Sequence, residues 1–305
     1  MINEEIKTKV LYYFPSPIAR MYFKLFTEEC AKQPSLKLDY ILATAETIST
    51  LSGIIVLCEC REYIEKSGVR LGTSLTNDFK ERFMKPAWGS WLHFTEEGLK
   101  WLRESNCILT MPELHDFYFK ANGDRTKAAA SLYSLLTLRN KQEHGKNKGL
   151  TRSHFTQLCE EAFSILSNVL EPLNFIINYV LSFVSSIEID KQRRESPIFA
   201  HNFKSITGSH NEFLFDSKEL KDYMDTKVIV LKQSSGNSRI NLDPLLVYQD
   251  TEGLSQDIFY YNGMNKSKNA VYSPCDIGKS MKVSAFERAN VLITELEHLL
   301  ILFNS

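Results

Sequence analysis

Hydrophobic residues recur at helical spacing through the first two thirds of the chain. From Leu38 to Tyr63 the apolar positions fall three and four residues apart, which is typical of one face of a long helix. Similar spacing predicts helices over residues 125–143 and 153–186. We expect these two helices to pack with a helix over residues 36–64 in one bundle.

The pattern changes to short apolar runs after about residue 195. These runs are rich in β-branched and aromatic residues, and turn-forming residues separate them. They cover residues 213–215, 228–231, 245–248, 258–261 and 270–272. We therefore predict one small antiparallel sheet of four or five strands within residues 196–278, followed by a helix over residues 283–303.

Together these patterns predict an α+β protein with two domains. Residues 1–190 would form a helical domain, and residues 191–305 a β-rich accessory module with a C-terminal helix. A chain of 305 residues can bury such cores without a metal or disulfide staple. The most apolar window, residues 173–184, is shorter than the roughly 20 residues that span a bilayer, so we expect a buried helix there and no membrane contact.

Composition narrows the possible functions. The 36 basic and 37 acidic residues give a net charge of −1, so a binding site for a polyanion has to be a local patch. The six cysteines lack paired metal-binding spacing, and the histidines lack His-x-x-x-His spacing, so no metal site is predicted. No charged-then-apolar leader is present, and we expect a reducing, cytoplasmic location.

One segment combines residues that could act on a phosphate. Arg139 and His144 are five positions apart at a predicted helix end, so their side chains can converge on one phosphate group. Arg139 would clamp phosphate oxygens with its planar fork of donors. His144 can donate or accept a proton near neutral pH, and Asn140 adds an uncharged hydrogen-bonding group.

Basic residues are concentrated around this segment. Within fourteen positions, five Lys or Arg residues stand against a single acid, Glu143. Besides Arg139, they are Lys141, Lys146, Lys148 and Arg152. We predict that these four bind a phosphodiester backbone.

The sequence Leu-Arg-Asn-x-x-x-His-Gly at residues 138–145 resembles the signature of HEPN domains. These are helical modules found in bacterial toxins, abortive-infection systems and RNA-guided or nucleotide-activated nucleases. The resemblance implies a HEPN-like helical bundle for the N-terminal domain. It also implies a metal-independent, cofactor-free endoribonuclease with a toxin-like or anti-phage role, in which Arg139 and His144 are catalytic and Asn140 supports them.

The same resemblance implies a chemistry and an assembly. The 2′-hydroxyl of the RNA would attack the adjacent phosphate and leave 2′,3′-cyclic phosphate and 5′-hydroxyl ends. In this family two motifs face each other across a helix-bundle dimer, so a homodimer or a pair with a related HEPN chain is expected. An antitoxin or a sensor protein is a further expected partner.

Two other interpretations stay open. Arg139 and Glu143 could form an ordinary four-apart helix pair, with His144-Gly145 as a helix cap. The chain could also be a non-catalytic, HEPN-like dimerisation or adaptor protein that recognises a partner through its β module. Glu46 lies near the apolar stripe of the long helix, where a buried carboxylate would either orient Arg139 or His144 or form a structural ion pair.

Overall fold

The computed structural model describes residues 4–143, 151–209, 215–220, 223–234, 238–249, 257–275 and 281–303. Their arrangement confirms the predicted α+β class: helices come first, antiparallel strands follow, and a helix ends the described chain. The helices are α1 (Glu4–Tyr13), α2 (Ser16–Phe23), α3 (Glu28–Lys32), α4 (Pro34–Ser67), α5 (Thr73–Met84), α6 (Trp88–Glu104), α7 (Glu113–Tyr118), α8 (Lys127–Glu143), α9 (Arg152–Leu170) and α10 (Ala289–Leu302).

Helix α4 is the central element of the helical part. It packs against α2, α6, α8 and α9, and every residue from 49 to 61 is buried. Gly68 ends it in a left-handed conformation (φ 70°), with its N–H bonded to the Ile64 carbonyl at 2.8 Å. The predicted helix over 36–64 is confirmed, but it has no continuous polar face. Glu59 and Arg61 are therefore inside the protein.

The backbones of α4 and α6 approach closely at two glycines. A Cβ at Gly53 would lie 2.9 Å from Trp91 Cε3, and one at Gly98 would overlap Val56 Cγ1. Alongside, Trp88 Nε1 donates a 2.8 Å hydrogen bond to Ser49 Oγ. The two helices thus fit together only with hydrogen in place of a side chain at these positions.

The strands form two antiparallel sheets instead of the single predicted one. A five-stranded sheet has the order β3-β2-β1-β4-β5, and a four-stranded sheet has the order β6-β7-β8-β9. The strands are β1 (Tyr179–Asp190), β2 (Ile198–Ser205), β3 (Phe215–Leu220), β4 (Ile229–Gln233), β5 (Arg239–Asn241), β6 (Leu246–Gln249), β7 (Asp257–Met264), β8 (Ala270–Pro274) and β9 (Met281–Lys282).

The predicted helix over 153–186 is wrong in its second half. Helix α9 ends at Leu170, a 3-10 helix covers Pro172–Asn178, and strand β1 then begins at Tyr179. Pro172 cannot continue the α-helical hydrogen bonding, which explains the stop. A short apolar run also has the same periodicity in a buried strand as in a buried helix. The buried helix expected over 173–184 is wrong for the same reasons.

The sheet region consequently starts at residue 179 and not at 196. β1 lies in the middle of its sheet, paired with β2 on one side and β4 on the other. The proposed domain boundary at 190/191 stays a prediction. One apolar core includes residues of α4, of β1 and of the four-stranded sheet.

A buried polar network joins α4 to the β-rich part. The guanidinium of Arg61 donates to the carbonyls of Asn241, at 2.7 Å, and of Asp243. The Asp243 carboxylate in turn accepts a 3.1 Å hydrogen bond from Arg288, just before α10. These hydrogen bonds fix the sheets and the last helix on the central helix.

Among the described residues, α4 is the one helix long and apolar enough to cross a membrane. However, 89% of its most apolar 18-residue window is buried within the protein. This burial is what the core helix of a soluble protein shows.

Candidate functional site

Helix α8 carries Arg139 on its packed side. Ala128, Leu132 and Leu135 are buried, and Arg139 follows Leu135 by four residues on the same face. The apolar stripe that holds α8 against the bundle therefore ends in a guanidinium. The predicted helix over 125–143 is confirmed as Lys127–Glu143.

Arg139 meets Glu46 of the central helix. Arg139 Nε lies 3.8 Å from Glu46 Oε2, and the two side chains are 31% and 33% exposed. Glu46 follows the buried Leu42 by one turn, so it stands at the edge of the apolar surface of α4. The carboxylate is half-buried and not buried as expected, but its pairing with Arg139 is one that the sequence analysis anticipated.

Three other residues of the expected site are close to Arg139 in the sequence and are exposed on the protein surface. Asn140 and Lys141 are exposed in the last turn of α8. Arg152 is exposed at the first residue of α9, where its Nη2 donates a 3.2 Å hydrogen bond to the Lys32 carbonyl at the end of α3. Helices α8 and α9 pack against α4 and against each other. Lys141 and Arg152 therefore belong to one corner of the bundle.

Three residues of the expected site, His144, Lys146 and Lys148, lie outside the described residues. So does Gly145, the last residue of the motif. In the sequence these residues lie between Glu143, the last residue of α8, and Arg152, the first residue of α9. The arrangement of Arg139 and His144 around one phosphate therefore stays a prediction.

A cluster that the sequence analysis missed anchors the other end of α8. Arg125 makes two hydrogen bonds to the buried Glu96 carboxylate of α6, Nε to Oε1 at 2.6 Å and Nη2 to Oε2 at 2.8 Å. Tyr133 donates to Glu96 Oε2 at 3.0 Å, and its ring packs 4.0 Å from Arg125 Cζ. Burial and the Glu96 charge raise the pKa of Tyr133.

This cluster fixes the position of α8 before the helix reaches Arg139. Thr126 strengthens the anchor, because its Oγ1 accepts a 3.2 Å hydrogen bond from the Ala129 N–H in the first turn. Glu96 and Arg125 are 29 residues apart, so no local spacing in the sequence identifies them as partners. The hydrogen bonds are charge-assisted and bidentate, which makes the anchor directional.

Within the described ranges, no group of three His, Cys, Asp or Glu side chains is placed to hold a metal ion. All six cysteines are free thiols, and five of them are buried. Comparisons of the chain with protein-family models, curated proteins and solved structures found no match.

Proposed function

We propose that this protein is a cytoplasmic, metal-independent endoribonuclease of the HEPN class, with a toxin-like or anti-phage role. Arg139 and His144 are its catalytic residues and Asn140 supports them. Lys141, Lys146, Lys148 and Arg152 hold the RNA backbone. The proposal rests on the Arg-Asn-x-x-x-His motif and on one observation, the pairing of Arg139 with Glu46.

That pairing supports a phosphate clamp. A carboxylate at Nε holds the plane of a guanidinium, which has five N–H donors in a fixed fork. Arg139 remains partly exposed, so a phosphate from solvent can reach it. A partly exposed pair also loses little when a phosphate competes for the arginine, because such pairs contribute about 0–1 kcal/mol.

The proposed reaction is an internal phosphoryl transfer. The ribose 2′-oxygen attacks the adjacent phosphorus, and its proton passes to a base. The bond from phosphorus to the 5′-oxygen breaks, and that oxygen takes up a proton. His144 carries a proton in one of these steps, while Arg139 neutralises charge on the transferring phosphate.

This chemistry needs both a base and an acid, and each chain supplies one motif. We propose that two copies, or this chain and a related HEPN chain, bring two motifs together. An antitoxin or sensor protein would control the pair. The β-rich module is the proposed binding surface for that protein.

The direct test is incubation of the purified protein with total RNA in EDTA. The proposal expects cleavage that survives chelation, yields 2′,3′-cyclic phosphate ends and disappears in His144→Ala. His154→Ala is the matched control, because His154 lies on α9 close in sequence and hydrogen-bonds to Thr151 instead. Intact RNA with the wild-type protein, or equal cleavage by His144→Ala, would overturn the assignment.

A non-catalytic adaptor is the second candidate, and exposed apolar residues favour it. Ile189 and Ile198 are exposed at the end of the five-stranded sheet where β1 connects to β2, and Phe215 is exposed at the other end, on the edge strand β3 opposite Lys204. Such residues commonly mark protein-binding surfaces. If the protein is an adaptor, His144→Ala keeps its biological effect and Phe215→Ser loses it. If it is a ribonuclease, His144→Ala loses the effect and Phe215→Ser keeps it.

A further inference from the structure

A cavity of about 780 Å³ lies between the C-terminal half of α4, residues 106–110 and the five-stranded sheet. Its helix wall includes Glu59, thirteen residues after Glu46. At 1.5 Å per residue, this separates the cavity from the Arg139 site by about 20 Å along α4. The cavity is therefore a second place where a ligand could bind.

Glu59 is a buried carboxyl at the wall of this cavity. It is 6% exposed, and the Thr110 N–H donates a 2.8 Å hydrogen bond to its Oε1. Among the described residues, no basic side chain forms an ion pair with it. Burial raises its pKa to about 7. A carboxylate without a counter-ion in such a place is costly, and a cation from outside would relieve that cost.

A second carboxylate lies one turn further along α4. Glu62 also lines the cavity, and it accepts a 2.7 Å bond from Lys66 and a 3.3 Å bond from the Asn241 N–H. Asp225 adds a third carboxylate on the sheet side. Two basic side chains, Lys66 and Arg239, also line the cavity, so the acids are in excess and disfavour an anionic ligand.

Part of the opposite wall is apolar, and this part continues to the cavity mouth. Val230 of β4 lines it together with Met224 and Val228, which lie between β3 and β4. At the mouth Ile108 is 95% exposed and Tyr223 is 57% exposed. Covering such side chains removes apolar surface from water, which is favourable, and an apolar group bound in the cavity would cover them.

We propose that this cavity binds a small organic cation, a primary amine on an apolar or aromatic body. The ammonium group pairs with Glu59 and hydrogen-bonds towards Glu62. The apolar body lies against Met224 and Val230, under Ile108 and Tyr223. This site is independent of the ribonuclease proposal and involves none of its residues.

Three probes of nearly equal shape isolate the charge: 2-phenylethylamine, 2-phenylethanol and phenylacetate. Titration calorimetry of the full chain at pH 8 measures their affinities. We expect the amine to bind at least tenfold more tightly than the alcohol, with no binding of the acid. Equal affinity for amine and alcohol, or preference for phenylacetate, overturns the proposal.

Matched variants locate the site. Glu59→Gln keeps an oxygen to accept the Thr110 N–H, and we expect it to weaken amine binding at least tenfold and leave alcohol binding unchanged. Glu29→Gln, at an exposed position on α3, should change neither. Ile108→Ser, at the exposed mouth, should weaken amine and alcohol alike and does not depend on the stability of Glu59→Gln. Amine binding that is unaffected by both Glu59→Gln and Ile108→Ser overturns the assignment to this cavity.

Discussion

Glu46 on α4 lies 3.8 Å from Arg139 Nε on α8, and both side chains are about one-third exposed. A pair so placed contributes little to stability, because solvent screens it. Its value to a ribonuclease would lie in orienting the guanidinium. Stability and activity should therefore respond differently when the pair is broken.

The first prediction separates these two effects. Glu46→Gln should change the free energy of unfolding by less than about 1 kcal/mol. We expect it to lower single-turnover cleavage of RNA several-fold, while Glu46→Asp restores part of the loss. Arg139→Lys should lose roughly 10²-fold or more, because a lysine cannot reproduce the planar fork of donors. A Glu46→Gln variant that unfolds readily and cleaves normally would show that the pair is structural.

The second prediction separates RNA binding from bond breaking. Replacing Lys146, Lys148 and Arg152 should weaken RNA affinity and reduce its salt dependence by about one unit of slope for each phosphate interaction removed. Turnover of bound RNA should change little. His144→Ala should bind normally and lose about 10² to 10⁴ in rate. Affinity and single-turnover rate, measured on the same preparations, check this. Impaired turnover in the basic-residue variants with normal cleavage by His144→Ala contradicts the roles assigned.

The third prediction concerns the close approach of α4 and α6. Gly98→Ala places a Cβ into Val56, and Gly53→Ala places one 2.9 Å from the Trp91 ring. We expect each to destabilise the fold by about 1–3 kcal/mol, the usual cost of overpacking. Denaturant unfolding measures this.

Gly89 supplies the matched control on α6. A Cβ there meets Leu136 Cδ2 at an ordinary 3.6 Å. Gly89→Ala should therefore be neutral or slightly stabilising, since alanine is favoured over glycine in helices by up to about 1 kcal/mol. Equal destabilisation at all three positions would mean that helix packing is not the cause.

The fourth prediction follows from the raised pKa of Glu59, about 7 against an ordinary value of 4.5. Between these values the folded state binds a proton that the unfolded state does not. The contribution of Glu59 to stability is therefore fully present below about pH 4.5 and is lost as pH rises through 7. Asp243, whose pKa burial raises to about 6, adds a loss in the same direction.

Glu59→Gln removes this share of the pH dependence. We expect it to be more stable than the wild-type protein at pH 8, by up to roughly 3 kcal/mol, and nearly equal to it at pH 4.5. Chemical unfolding at both pH values provides the comparison. Glu29→Gln, on the surface, should follow the wild-type curve. A variant that is less stable at pH 8 would show that Glu59 is ionised and well compensated.

Local periodicity was sufficient to predict α4 and α8. Their apolar positions repeat at three and four residues, and the pairing of Glu46 with Arg139 could be anticipated because each borders such a stripe. β1 could not be identified in this way, because residues 179–184 are largely apolar and follow a helix directly. Pairing with β2, the next strand, and with the more distant β4 makes them a strand, and a local window around residues 179–184 contains neither partner.

The sequence pattern also could not predict which polar residues bond to each other inside the fold. Glu59 bonds to Thr110 at a separation of 51 residues, and Arg61 to Asn241 at 180. Glu59 lies between the apolar positions of the long helix, so its local spacing gives no sign that it is buried. Its burial depends on elements that pack around α4 from several parts of the chain, which no local window contains.

The central position of β1 determines how the protein can be cut into fragments. A fragment that ends at residue 190 keeps twelve residues of strand but lacks β2 and β4, which pair with them. Both edges of that strand would then present unbonded N–H and C=O groups and apolar side chains, a template for aggregation. A helical fragment meant for solution work should therefore end at Asn178, the last residue of the 3-10 helix, because β1 begins at the next residue.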